Sequence, residues 1–165
     1  MKLKLFAIIS LLLTTFLTGC AEDQNEDTNQ NHEGHSHETT EGGDIREETS
    51  SYEVLPAFLE EKHEDIQNIY VAVAQNKDLL EHIPCYCGCG ETVGHRDNYD
   101  CFVHENREDG SLVWDDHGTK CGVCLEIAAQ AIVDYQEGKS IKDIRDNIDQ
   151  QYENREVEPT PTPEI

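Results

Sequence analysis

Basic residues are scarce in this chain. Twelve Lys and Arg stand against 35 Asp and Glu, a formal net charge of -23 over 165 residues. A surface of that sign lacks the clustered cations that phosphate contacts need. It argues against nucleic acid as a partner and draws cations instead. Apolar residues are also few, at 36%, and part of that share belongs to the first twenty positions. What remains suits one modest domain with tails and a small core, and small exported cores are commonly held by disulfides or a metal. Familiar catalytic signatures are missing too. The chain has no nucleophile elbow, no phosphate loop and no C-x-x-C-H haem attachment.

What is present begins with a leader. Lys2 and Lys4 precede a nearly unbroken apolar run from Leu5 to Leu17, and Leu17-Thr18-Gly19-Cys20 follows. The run is short for a bilayer span and fits a signal peptide. The last four residues resemble a lipobox, the cleavage signal of bacterial lipoproteins. Residues 1–19 are therefore expected to be removed, with diacylglycerol on the Cys20 sulfur anchoring the chain to the extracytoplasmic face of the cell membrane. An ordinary signal peptide with an incidental cysteine, or one uncleaved helix, are the alternatives. Outside the cytoplasm thiols can be oxidised. Residues 20–51 are acidic, polar and almost free of apolar side chains, so they are expected to form a disordered tether. Within them His32, His35 and His37 alternate with Glu33 and Glu38. That tract either captures ions loosely or is a solvated linker.

The chemistry concentrates further on. Between Cys85 and Cys124 lie six cysteines and three histidines. Pro84-Cys85-Tyr86-Cys87-Gly88-Cys89-Gly90 places three thiols at alternate positions. An extended segment sends alternate side chains to one side, and Pro84, Gly88 and Gly90 disfavour a helix. The spacing predicts a short comb of thiols. C-x2-H follows at Cys101 and His104, then H-x3-C-x2-C at His117, Cys121 and Cys124, spacings short enough for neighbouring ligands to meet one ion. His95 lies in the loop between, and His82 precedes the comb. Phe102-Val103 and Leu112-Val113-Trp114 read as two strands around Asp109-Gly110, a hairpin carrying Cys101 and His104 towards His117. Asp116 is a candidate to orient His117.

Helical patterning surrounds this segment. Leu55, Phe58, Leu59, Ile66, Ile69, Tyr70 and Val73 form one apolar stripe. Asn76 is placed to cap a further turn that Pro84 ends. Residues from Val123 to Glu137 are rich in helix formers, with Gly138 as the stop. Ser140 to Asp143 matches a capping box ahead of a stripe at Ile141, Ile144, Ile148 and Tyr152. The fold class expected is mainly α: a small helical domain over residues 52–152 with a Cys-rich loop and a short hairpin insert. The Pro- and Glu-rich residues 153–165 are expected to be a disordered tail.

The heptapeptide at 84–90, with Gly94-His95, Cys101-Phe102, Trp114-Asp115-Asp116-His117 and Cys121-Gly122-Val123-Cys124-Leu125, resembles the PCYCGC-motif lipoproteins of Gram-positive bacteria. The resemblance covers about residues 66–152 and the lipobox. It implies a lipid-anchored envelope protein with a shared cysteine framework, and brings no activity with it.

Three functions compete. The first is binding of copper or zinc by ligands drawn from Cys85, Cys87, Cys89, His95, Cys101, His104, His117, Cys121 and Cys124, for metal handling in the envelope. Nine candidates exceed one tetrahedral site, so two sites, a cluster, or one site beside a disulfide are required. The second is a disulfide-stapled structural or interaction domain, with Cys85, Cys87 and Cys89 bridged to Cys101, Cys121 and Cys124 in one of several connectivities. The third is a thiol–disulfide oxidoreductase using Cys121 and Cys124 at a helix start, where the dipole favours thiolate.

Overall fold

Trp114 decides the architecture. Its indole is fully buried, and its Nε1–H donates to the Thr49 hydroxyl at 2.7 Å. Thr49 lies in the stretch whose composition reads as a tether. In the computed structural model, which describes residues 37–88 and 90–165, His37–Thr39 (β1) and Ile45–Thr49 (β2) are strands. They join Val103–Asn106 (β3) and Leu112–Asp115 (β4) in a four-stranded antiparallel sheet of order β1-β2-β4-β3. Glu47 pairs with Trp114 and Thr49 with Leu112. The mainly α assignment is thereby corrected, since a four-stranded sheet is as much a part of the framework as the short helices. The hairpin at Asp109-Gly110 exists, with Gly110 at φ 92°, but it is one side of the sheet and not an insert. The signal peptide, Cys20, His32, His35 and Cys89 lie outside the described residues.

Helices cover the sheet and carry the rest of the core. Pro56 leads into a 3-10 turn at Ala57–Leu59, so the first stripe is broken ahead of the helix Glu64–Gln75 (α1). His63 caps α1 by accepting the Asp65 N–H at 3.2 Å. Asn76 does not cap the short helix Lys77–Leu80 (α2) as expected. Its Nδ2 donates back to the Ala72 carbonyl at 2.7 Å and closes α1. A further turn, Gly90–Val93 (α3), follows the cysteine comb.

Gly122–Gln136 (α4) and Ile141–Tyr152 (α5) form the expected helical hairpin, turning at Gly138 with φ 90°. Ser140 accepts the Asp143 N–H at 3.1 Å. Ile144, Ile148 and Tyr152 are buried on one stripe. Tyr70 on α1 joins helices to sheet. Its ring meets Phe102 edge-on at 5.0 Å, and its hydroxyl donates to the Asp115 carbonyl at 2.9 Å.

The end of the chain is also placed. Thr160 is 5% exposed and brackets Cys85: the Cys85 N–H donates to its hydroxyl at 2.8 Å, and its own N–H donates to the Cys85 carbonyl at 3.0 Å. Residues 157–160 are a strap over the cysteine loop, where composition alone reads as a disordered tail.

Candidate metal centre

Four sulfurs meet under the start of α4. The ligand atoms of Cys85, Cys87, Cys101 and Cys124 all lie within 4.8 Å of one another. Cys85, Cys101 and Cys124 are fully buried, and Cys87 is half-buried. Each arrives from a different local geometry. Cys85 and Cys87 come from the extended start of the comb, which turns away at Gly88 with φ 79°. Cys101 ends a 3-10 turn, Tyr99–Cys101, just before β3. Cys124 is the third residue of α4 and faces the core. Asn98, buried between them, ties the pieces together. Its N–H donates to the Ile83 carbonyl at 2.8 Å and its side-chain amide to the Cys124 carbonyl at 3.2 Å.

The thiols share protons as a group. Hydrogen bonds from Cys101, then Cys124, hold Cys87 far below the usual thiol value, and the same donors lower Cys85. Cys101 is pushed up by Cys124, Cys85 and Cys87 and by burial. Cys124 rises as well, because the pull of Cys101 is outweighed by Cys85, Cys87 and burial. A tetrahedral ion with bonds of about 2.3 Å sets its sulfurs about 3.8 Å apart. Here the Cys85 and Cys124 sulfurs are 3.3 Å apart, and no pair of the four exceeds 4.8 Å. The donor set and the spacing fit one metal ion, and this four-cysteine cluster can hold it.

His117 flanks the cluster. It sits in the 3-10 turn Asp116–Lys120, which the Asp115 carboxylate caps by accepting the His117 N–H at 3.0 Å. The Cys87 sulfur beside it, opposed by burial and helped by Asp44, lifts the imidazole to about 9. Its Nδ1 lies 3.2 Å from Asp44 Oδ2. Asp44 is therefore the group that orients His117. Asp116 instead accepts the Ile45 N–H at 2.8 Å and pairs with Lys120 at 2.8 Å. Asp44 was hidden in the acidic tether composition, and its only local signal is the Gly42-Gly43 turn before β2.

The other expected ligands separate from the sulfurs. His104 is exposed on β3, at the irregularity between Val103 and Glu105 where the pairing with β4 shifts register. Cys121 is the residue before α4, in extended conformation (φ -131°, ψ 107°), half-buried and not among the converging sulfurs. The C-x2-C pair is therefore split, with one member in the cluster and one at its edge. His82 bonds the Asp78 carbonyl at 2.9 Å. His95 is buried and edge-on to His117 at 4.8 Å between ring centres, but it faces carboxylates. Tyr86 points away from the sulfurs, stacks on Tyr152 at 5.1 Å and donates to Asp149 at 2.8 Å.

Comparison with known sequences settles the relationship. The family described as protein of unknown function with PCYCGC motif matches residues 9–165. The chain belongs to the PCYCGC family. No curated protein and no solved structure matches it. The PCYCGC heptapeptide supplies two of the described sulfurs of the cluster, and the rest of the fold supplies Cys101 and Cys124.

Proposed function

We propose that this protein binds a soft or borderline transition metal, copper as Cu(I) or zinc as Zn²⁺, through Cys85, Cys87, Cys101 and Cys124, and handles that ion at the cell envelope. The convergence of four mostly buried sulfurs carries the reading. Thiolates select these ions, and a closed four-sulfur set suits holding more than open-site catalysis. His117 stands beside Cys87 as a positive neighbour that favours thiolate. The excess of acidic residues concentrates cations near the surface. No helix among the described residues is long and apolar enough to cross a membrane. In this reading the anchor lies at the leader and at lipid on Cys20, on the extracytoplasmic face, as the lipobox-like Leu17-Thr18-Gly19-Cys20 suggests.

The full chain, purified in detergent under anaerobic reducing conditions, is expected to retain at least one ion per molecule by elemental analysis. Four thiols should become titratable when the ion is stripped, and Cys124→Ser should abolish tight retention. Metal-free protein whose four sulfurs are consumed as bridges overturns the reading in favour of a stapled domain. For the anchor, Cys20→Ser is expected to release the chain from the membrane fraction, and unchanged sedimentation with membranes overturns lipidation as the attachment.

A further inference from the structure

A second group of ligand atoms lies beside the sulfurs and is built from other donors. One carboxylate oxygen each from Asp44 and Asp115, and a ring nitrogen of His95, lie within 4.8 Å of one another, all three residues being buried. His95 is 5% exposed, and neither of its ring nitrogens has a hydrogen-bond partner among the described residues. Its Nε2 is 3.9 Å from Asp115 Oδ2, too far for a hydrogen bond. An imidazole buried without hydrogen-bond partners is costly, and the two carboxylates beside it call for a positive charge, supplied either by the protonated ring or by a bound ion. Arg46 reaches Asp115 at 3.0 Å and Lys120 reaches Asp44 at 3.1 Å, each from the rim. Neither cation meets the ring.

We propose that Asp44, His95 and Asp115 form a second cation site, for a borderline divalent ion such as Zn²⁺, separate from the four-sulfur site. Bonds of about 2.0–2.2 Å place tetrahedral nitrogen and oxygen ligands about 3.4 Å apart, so a modest inward movement completes the set. One carboxylate-rich His site with an open fourth position differs in kind from a closed thiolate cage. It favours Zn²⁺ over Cu(I), which prefers sulfur. A cavity of about 220 Å³ adjoins His95 and is lined also by Arg46, Arg96, Asp100 and His104. His117 stands between the two sites, with Cys87 on one side and the Asp44 carboxylate 3.2 Å away on the other.

The second site stands on donors the first does not use, and cobalt tells them apart. Co²⁺ bound by thiolates absorbs strongly through sulfur-to-metal charge transfer, whereas Co²⁺ on nitrogen and oxygen does not. Anaerobic titration of the full chain with Co²⁺, alongside equilibrium dialysis, is expected to show two equivalents, only one with the sulfur band. His95→Gln, which keeps a polar side chain of similar reach, is expected to weaken the sulfur-free equivalent at least tenfold and leave the sulfur band intact. Asp44→Asn should do the same, with a circular dichroism spectrum unchanged from wild type. A chain that binds one equivalent with the sulfur band, or a His95→Gln variant that keeps both equivalents at wild-type affinity, overturns the proposal. If the sulfur band is absent but a histidine-dependent equivalent remains, the thiolate reading fails and this one stands.

Discussion

Gly118 shows how tightly single positions are held. A Cβ there would lie 2.6 Å from two ring carbons of Phe102 and 2.9 Å from the Tyr70 hydroxyl, the group that bonds the Asp115 carbonyl. Gly118→Ala should cost about 1–3 kcal/mol through overpacking, read as a lower urea midpoint at unchanged m-value. Asp97 makes a pH-dependent prediction. Burial, then the nearby Asp100 carboxylate, raises its carboxyl to about 7, while its Oδ1 accepts the Asp100 N–H at 3.0 Å. The folded state therefore keeps a proton that the unfolded chain has released. Stability falls as pH climbs from roughly 4 to about 7 and levels off above it. Asn keeps the acceptor and removes the ionisation. Asp97→Asn is expected to match wild type near pH 4 and exceed it at pH 8 by at most ~4 kcal/mol, measured on the reduced, metal-free protein. Legibility at this scale was uneven. The cysteines announced themselves by density, whereas Asp44 and Asp115 are two acids among many, and only their burial marks them.

The elements most easily misjudged are the ones least apolar. β2 reads Ile45-Arg46-Glu47-Glu48-Thr49, too charged to register as a strand, because its inward contacts are polar. Thr49 meets the Trp114 indole, and Glu47 accepts the Ala57 N–H at 2.7 Å. A chain beginning at Ser51 loses both and bares the edge of β4. It is expected to melt roughly 10 °C lower or to lose its cooperative transition, by calorimetry. The C-terminal strap makes the opposite point, a segment without helix or strand that two hydrogen bonds, one through the Thr160 hydroxyl and one through its N–H, hold to Cys85. Thr160→Val removes the acceptor for the Cys85 N–H and leaves it unpaired, a local cost of about 1–3 kcal/mol. Exchange of the Cys85 amide and modification of the cluster thiols in the metal-free chain should both quicken. Unchanged thiol reactivity would mean that the strap does not close the loop. Helices were read more faithfully: α4 and α5 have strong formers, a glycine stop and a capping box, all local signals.

At the scale of the molecule, sheet, helices and strap each hold a wall around the sulfurs, so an ion there should brace all of them at once. Because such a site does not survive unfolding, the ion's affinity adds to stability. At a free concentration of about 1,000 times Kd the gain is ~4 kcal/mol. Zn²⁺ is expected to raise the melting temperature of the wild-type chain and leave that of Cys124→Ser nearly unchanged. Binding must also expel thiol protons, so affinity weakens as pH falls.

What the linear chain determined by itself was its inventory: an acidic composition, two helices with their caps, and a crowd of thiols whose alternate spacing put Cys85 and Cys87 on one side. Which ligands converge was decided by tertiary structure alone. Cys124 points inward from a helix while Cys121, just before it, does not. The irregularity in β3 leaves His104 exposed, and His95 turns from sulfur to carboxylate. Spacing governs only neighbours along the chain, whereas a site assembles from pieces tens of residues apart, whose meeting is set by packing of α1 against both the sheet, through Tyr70 and Trp114, and α4.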